Sequence, residues 1–182
     1  TNGTIHYGEW IAIEIPDKLK IDYFNMVAPV NNRRPDSMVI VGSNDSGATF
    51  EHVKTISSIT YPSLNTTTLT VSATREYKKL YFIVTSVDGN NGGLANISHL
   101  AIFGHRENDL VRFPDPTNVL KYPHVAMTGP AQRGYVATAS AAEQHAQPWE
   151  AFDESVATNT SGWIWLGTYT GTNKVYTGSN NL

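Results

Sequence analysis

The stretch GEWIAIEIP, Gly8–Pro16, places Ile11, Ile13 and Ile15 on one side of an extended chain and Trp10, Ala12 and Glu14 on the other. Successive side chains of a strand point to opposite faces, so a period of two specifies a half-buried strand. The same grammar recurs down the chain. Strands are expected at Trp10–Ile15, Ile21–Ala28, Ser37–Gly42, Phe50–Val53, Thr67–Ser72, Lys79–Ser86 and Asn96–Gly104. Between them lie NNRRPD, SNDSG and DGNNGG, whose Asn, Asp, Ser and Gly supply the self-bonding side chains and positive φ that turns require. No segment holds a 3.6-residue period over three turns. The best helical candidate, SAAEQHAQPWEAF, is interrupted by Pro148. The expected fold class is all-β.

At 182 residues the chain suits one domain, long enough to bury roughly two-thirds of the surface its unfolded form exposes. Charged residues make up 16 % of it, below the usual ~25 %, while Thr, Ser, Asn and Gly abound, a profile that suits an extracellular or particle-surface β protein. A net charge of −3 lacks the basic footprint that phosphate backbones demand, which argues against nucleic acid and against a membrane surface as partner. There is no run of 18 apolar residues and no signal-peptide pattern at Thr1, so a soluble chain without membrane insertion is expected. The absence of cysteine excludes a disulfide framework, a Cys-ligated zinc and a thiol nucleophile together. Asn-x-Ser/Thr sequons at Asn2, Asn44, Asn65, Asn96 and Asn159 suit a glycosylated secretory protein.

Residues 106–121 carry two prolines, several charges and little periodicity, and read as a linker between 1–105 and 122–182. The segment after it is rich in Gly, Tyr and small residues, with an aromatic knot at GWIWLGTY.

In GEWIAIEIP, RRPDSMVIVGSNDSGATFEHV, YKKLYFIVTSV and NISHLAIFG the first part of the chain resembles the later part of a discoidin-like (coagulation factor 5/8 type C, galactose-binding-like) domain. YPHVAMTG, GYVATAS, PWEAFDES and SGWIWLG resemble the beginning of the same domain. The two parts stand in reverse order, so the resemblance implies a jelly-roll β-sandwich with its strands circularly permuted. Half a sandwich leaves edges unpaired and an apolar face wet. Completion within the chain is the expected arrangement; completion by a neighbouring copy, giving head-to-tail or tandem-repeat assembly, is the alternative. Similar sequences recur in surface proteins of large DNA viruses and in secreted proteins.

Paired carboxylates, a nucleophile elbow, a His-Glu-x-x-His helix and phosphate-cradling glycines are all missing at meaningful spacing, and the six histidines are scattered. A non-catalytic chain is expected. The resemblance implies a structural calcium at the AFDES turn, where Asp153 and Thr158 are the candidate ligands because this hard cation takes oxygen donors. His99 stands where relatives commonly place a glutamate ligand. Sugar recognition needs aromatic faces and planar polar groups, and the candidates are Trp163, Tyr169, Asn32, Arg33 and Arg34. The expected function is a carbohydrate-binding or adhesive module of a larger surface or virion protein. Its partners would be glycans or neighbouring copies. The rival is a purely structural capsid or fibre component built from tandem repeats with protein contacts only.

Overall fold

The computed structural model describes residues 5–28, 33–62, 65–88, 94–107, 119–155, 162–166, 169–170 and 175–176. In chain order the strands are β1 (Glu9–Val27), β2 (Pro35–Ser43), β3 (Glu51–Ile56), β4 (Thr66–Thr70), β5 (Tyr77–Val87), β6 (Leu94–Ile97) and β7 (His99–Arg106). They continue with β8 (Leu120–Tyr122), β9 (Ala131–Gln132), β10 (Tyr135–Ala139), β11 (Trp163–Leu166), β12 (Tyr169–Thr170) and β13 (Val175–Tyr176). A 3₁₀ turn, Pro148–Phe152, precedes β11, and no α-helix occurs among the described residues. SAAEQHAQPWEAF therefore supplies only this short turn, which opens on the proline and buries Ala151 and Phe152.

Two strands expected in sequence are one strand in space. β1 runs through Pro16 for 19 residues, and its two ends serve different layers. Its first half pairs antiparallel with β5 and β10, with Ile11 opposite both Phe82 and Ala139. Its second half pairs antiparallel with β4 and β7, with Phe24 opposite Leu69 and Ile102. Pro16 has no N–H to donate, and the pairing with β5 shifts register between Glu14 and Leu19, which makes the corner. One layer then reads β3-β2-β5-β1-β10-β9 and the other β4-β1-β7-β8, with β6 and β11 as a separate pair. The arrangement is all-β, antiparallel and compatible with a β-sandwich.

The core between the layers takes Ile11, Ile13 and Ile15 from before the corner and Leu19 and Ile21 after it. Phe24 and Met26 face the same core. That odd-to-even change needs one extra residue, and the pairing with β7 shifts between Ile21 and Tyr23 to supply it. A strict alternation from Ile21 would instead have turned Tyr23 and Asn25 inward. The carbonyls freed there are satisfied: Asp22 O accepts from the amides of Val71 and Ser72, and Ile21 O from Ala73. Across the core, Phe24 meets Phe82 edge to face at 5.1 Å. Ala12, Val39, Val41, Tyr81 and Ile83 form a second buried cluster on the other face of the first layer, with Trp10 and Phe50 packed on it. Burial on both faces is why SMVIVG and KLYFIV read as continuous apolar runs.

The strands beyond residue 119 pair with the first part of the same chain: β8 with β7, β10 with β1, β11 with β6 and β13 with β5. The segment read as a linker is shorter than its sequence suggests, because Arg106 still belongs to β7 and Leu120 already opens β8; residues 108–118 lie outside the described residues. NISHLAIFG is divided at Ser98, whose N–H and hydroxyl both donate to Val27 O, at 2.9 and 3.1 Å.

The SNDSG turn is closed by its own side chains. Asp45 accepts from the Thr49 hydroxyl at 2.6 Å, the Thr49 amide at 2.8 Å and the Ser43 hydroxyl at 2.8 Å. Those hydrogen bonds, the Thr49 pair foremost, hold its carboxyl down to about 2 from an ordinary 3.8. A lowered folded-state value means that the turn is stabilised above the ordinary carboxylate range, and that this is lost as pH falls through 3.8 towards 2. The Thr49 amide resonance should titrate with a midpoint near 2; a midpoint near 3.8 would contradict the hydrogen bonding. Where β7 crosses β1, a Cβ on Gly104 would strike the Lys20 carbonyl oxygen and lie 3.0 Å from Ile21 Cα. Gly104→Ala should therefore cost about 1–3 kcal/mol in urea unfolding; a change under ~0.5 kcal/mol would show that the crossing has room.

Candidate ligand-binding cleft

The bend at Pro16 creates a shelf, and the tip of the β9–β10 hairpin leans on it. Gln132 pairs with Tyr135, so the hairpin loop is the two residues Arg133 and Gly134. Both have positive φ, +50° and +84°, as a tight primed hairpin turn requires. Gly134 is needed for closeness as well as for φ, since a Cβ there would lie 3.1 Å from Pro16 Cβ. Lys78 Nζ donates to the Pro16 carbonyl and pins the shelf from the β5 side.

Between shelf, hairpin and the segment after β8 lies a cleft of about 230 Å³. Its floor is apolar: Met127 and Tyr135 are buried beneath it, and Val125, 45 % exposed, forms one wall. Its rim is polar. Arg106 Nη1 lies 3.4 Å from Asp17 Oδ2, and both residues line the opening with Gln132, Arg133 and His124. Gln132 Oε1 accepts from the Thr128 amide at 2.7 Å and the Thr128 hydroxyl at 3.1 Å, which closes the 128–132 loop. The Met127 amide donates to Phe152 O at 3.0 Å and ties the floor to the 3₁₀ turn. Burial raises the Tyr135 phenol above its ordinary value, against a backbone hydrogen bond from His124 and the Arg106 charge, which pull it down. The phenol therefore stays protonated and able to donate at neutral pH.

Among the described residues, none of those singled out in the sequence for ligand or metal binding lines this cleft. Trp163 is fully buried and donates its indole N–H to Ala141 O at 2.8 Å, so it offers no ring face to a sugar. Arg34 is a strut. Its Nε donates to Ala28 O at 3.1 Å, its Nη2 to Asn65 Oδ1, and its guanidinium lies 5.0 Å from the Tyr61 ring centroid. Its amide and carbonyl exchange hydrogen bonds with Asp88. Arg33 accepts from the Asn96 amide through its carbonyl, while its own Nε is buried without a partner. Asn32 and Thr158 lie outside the described residues; Tyr169 is described only as backbone, in β12.

At the AFDES turn, Asp153 Oδ1 accepts from the Ser155 amide at 2.7 Å. Burial raises its carboxyl above the ordinary carboxylate value, against the Ser155 amide hydrogen bond, which lowers it. Lys121 pairs with Glu154, and burial followed by the Lys121 charge lowers the neighbouring His99. Among the described residues no three His, Asp or Glu side chains converge on a point. Of the two candidate calcium ligands only Asp153 lies among the described residues, and calcium, which takes six to eight oxygens, enters no step below.

The cleft escaped sequence reasoning because it gathers residues 16–17, 106, 124–127 and 132–135 from four separate segments. The local signal available was the dipeptide RG between two strand-forming runs. Comparison with known proteins returns no matching family model and no matching curated sequence.

The sequons also sort by burial. Asn96 and Ser98 are 0 % exposed, and Asn96 Nδ2 has no room for a glycan inside the β6–β11 pair. Peptide mass spectrometry of the folded protein from a glycosylating host should find Asn96 unmodified. A glycan at Asn96 in the folded fraction would overturn this packing.

Proposed function

We propose that this chain is a non-catalytic carbohydrate-binding module of a larger surface or virion protein, with its ligand in the cleft at the Pro16 corner. The observation that carries the reading is the pairing of an apolar floor with planar polar groups in one small concavity. A sugar ring presents an apolar face and a rim of hydroxyls; here the Tyr135, Met127 and Val125 surfaces meet the first, and Asp17, Arg106 and Gln132 meet the second. An acceptor and a bidentate donor side by side suit vicinal hydroxyls. The volume, about 230 Å³, is below the roughly 300–1,000 Å³ of sites for drug-sized ligands and suits a single ring.

The discoidin-like motifs support the same reading, with Tyr122–Leu182 as the opening part of a permuted jelly roll and Thr1–Gly104 as the later part. In-chain pairing of β10 with β1 and of β11 with β6 is what completion within one chain calls for. For assembly with neighbouring copies by strand addition, β3 pairs on one side alone among the described residues, but Glu51 and Lys54 charge that edge, which disfavours it.

One ring of about twelve non-hydrogen atoms at roughly 0.3–0.4 kcal/mol each gives about 4–5 kcal/mol, a Kd of the order of 1 mM. Display on a dense glycan array raises this by avidity. The full chain should bind a restricted set of glycans on such an array. The joint variant Asp17→Ala/Arg106→Ala, which leaves neither charge unpaired, should lose at least about tenfold in signal while melting as a folded protein. Failure to bind any glycan, or undiminished binding by the double variant, would overturn the reading.

A further inference from the structure

The residue at the tip of the β9–β10 hairpin is the least expected one for its backbone. Both central positions of a two-residue primed turn have positive φ, and Asn-Gly or Asp-Gly satisfies this with least strain. Arg133 sits at φ +50° in the first of them, with a long side chain that gains nothing from that conformation. A local rule broken without a packing gain points to a use for the side chain. Arg133 is exposed at the mouth of the cleft and has no hydrogen-bond or ion-pair partner among the described residues.

The charge around it is one-sided. Among the described residues the rim holds Arg106 and Arg133 against the carboxylate of Asp17, which is already engaged with Arg106, and Lys78 stands behind the Pro16 carbonyl. Lys18 and Glu107, next along the chain from this rim, face each other at 3.7 Å and cancel. The local excess is positive on a chain whose net charge is −3.

We propose that the cleft selects an anionic saccharide, a ring bearing a carboxylate or sulfate, and that Arg133 is the specificity-determining residue that receives the anionic group. The inference rests on the carbohydrate reading above and narrows its substrate class. A guanidinium presents paired N–H donors that match the two oxygens of a carboxylate or sulfate in a planar fork, which a lysine does not. Asp17, Arg106 and Gln132 hold the ring; Arg133 reads its charged substituent.

The test is calorimetric or NMR titration of the full chain with three ligands: a neutral hexose, the corresponding hexuronic acid and the corresponding hexose sulfate. The wild type should bind at least one of the anionic sugars about tenfold or more tightly than the neutral one at low salt, and that ratio should shrink as salt is raised. Whichever of the two wins identifies the anion. Arg133→Asn removes the cation and places at φ +50° a residue that tolerates it, so its melting temperature should hold or rise while the anionic-to-neutral ratio falls to within about twofold. Arg133→Lys should recover part of the ratio. Equal affinity for neutral and anionic sugars in the wild type, or a ratio that survives Arg133→Asn, would overturn the selectivity while leaving sugar binding in place. Absence of binding to all three would instead remove the carbohydrate reading, and this inference with it.

Discussion

Everything in this fold hangs on β1 staying a single strand through Pro16. Its backbone donates and accepts in both layers, with β5 and β10 before the corner and β4 and β7 after it. Hydrogen bonding along a shared strand fixes the angle between layers far more tightly than side-chain contact alone. Proline makes the corner affordable, because the residue that must leave the ladder has no N–H to orphan, and its carbonyl is taken by Lys78. The bulge after Ile21 then resets which side chains face inward, so one strand feeds Ile11, Ile13, Ile15, Leu19, Ile21, Phe24 and Met26 to one core.

The cleft is a consequence of the same corner. A strand that leaves one layer for the other cannot keep its neighbours at the bend, and Pro16 and Asp17 there become a shelf. The end of β7 brings Arg106 beside it because β7 pairs with the second half of β1, and the β9–β10 hairpin arrives because β10 pairs with the first half. The polar groups thus sit on the ends of paired strands, which is the rigid support that a binding site needs, and the apolar floor is an extension of the core through Met127 and Tyr135.

How much of this could be read from the residues divides along the reach of the interactions. Ile11, Ile13 and Ile15 announced a strand because alternation is a local code, and KLYFIVTS announced a buried one because both of its faces are covered. The sequence divides β1 into separate strands at Trp10–Ile15 and Ile21–Ala28, although Pro16 between them is a passage at a layer corner; the difference depends on β5 and β10 keeping their hold on the strand before the corner and β4 and β7 theirs after it. Tyr23 and Asn25 hid the phase change because a bulge adds a residue without any required sequence mark. Trp163 reads as a ligand residue in sequence because alternation cannot say which face of a short strand is inside, and its ring is fully buried. Arg34 looked like a ligand residue because loops carry function, yet its partners, Ala28, Asn65 and Tyr61, make it a brace. The cleft was invisible for the reason that binding sites usually are: its members meet only after the layers have packed.

Native-state hydrogen exchange measures the central constraint directly. A strand shared by both layers predicts that the amides of Ile11–Ile13 and of Phe24–Met26 open together, with one free energy equal to that of global unfolding. Opening free energies for the two halves that differ by more than about 1 kcal/mol, with one layer exchanging while the other stays protected, would show that the layers are held separately and that β1 does not unite them.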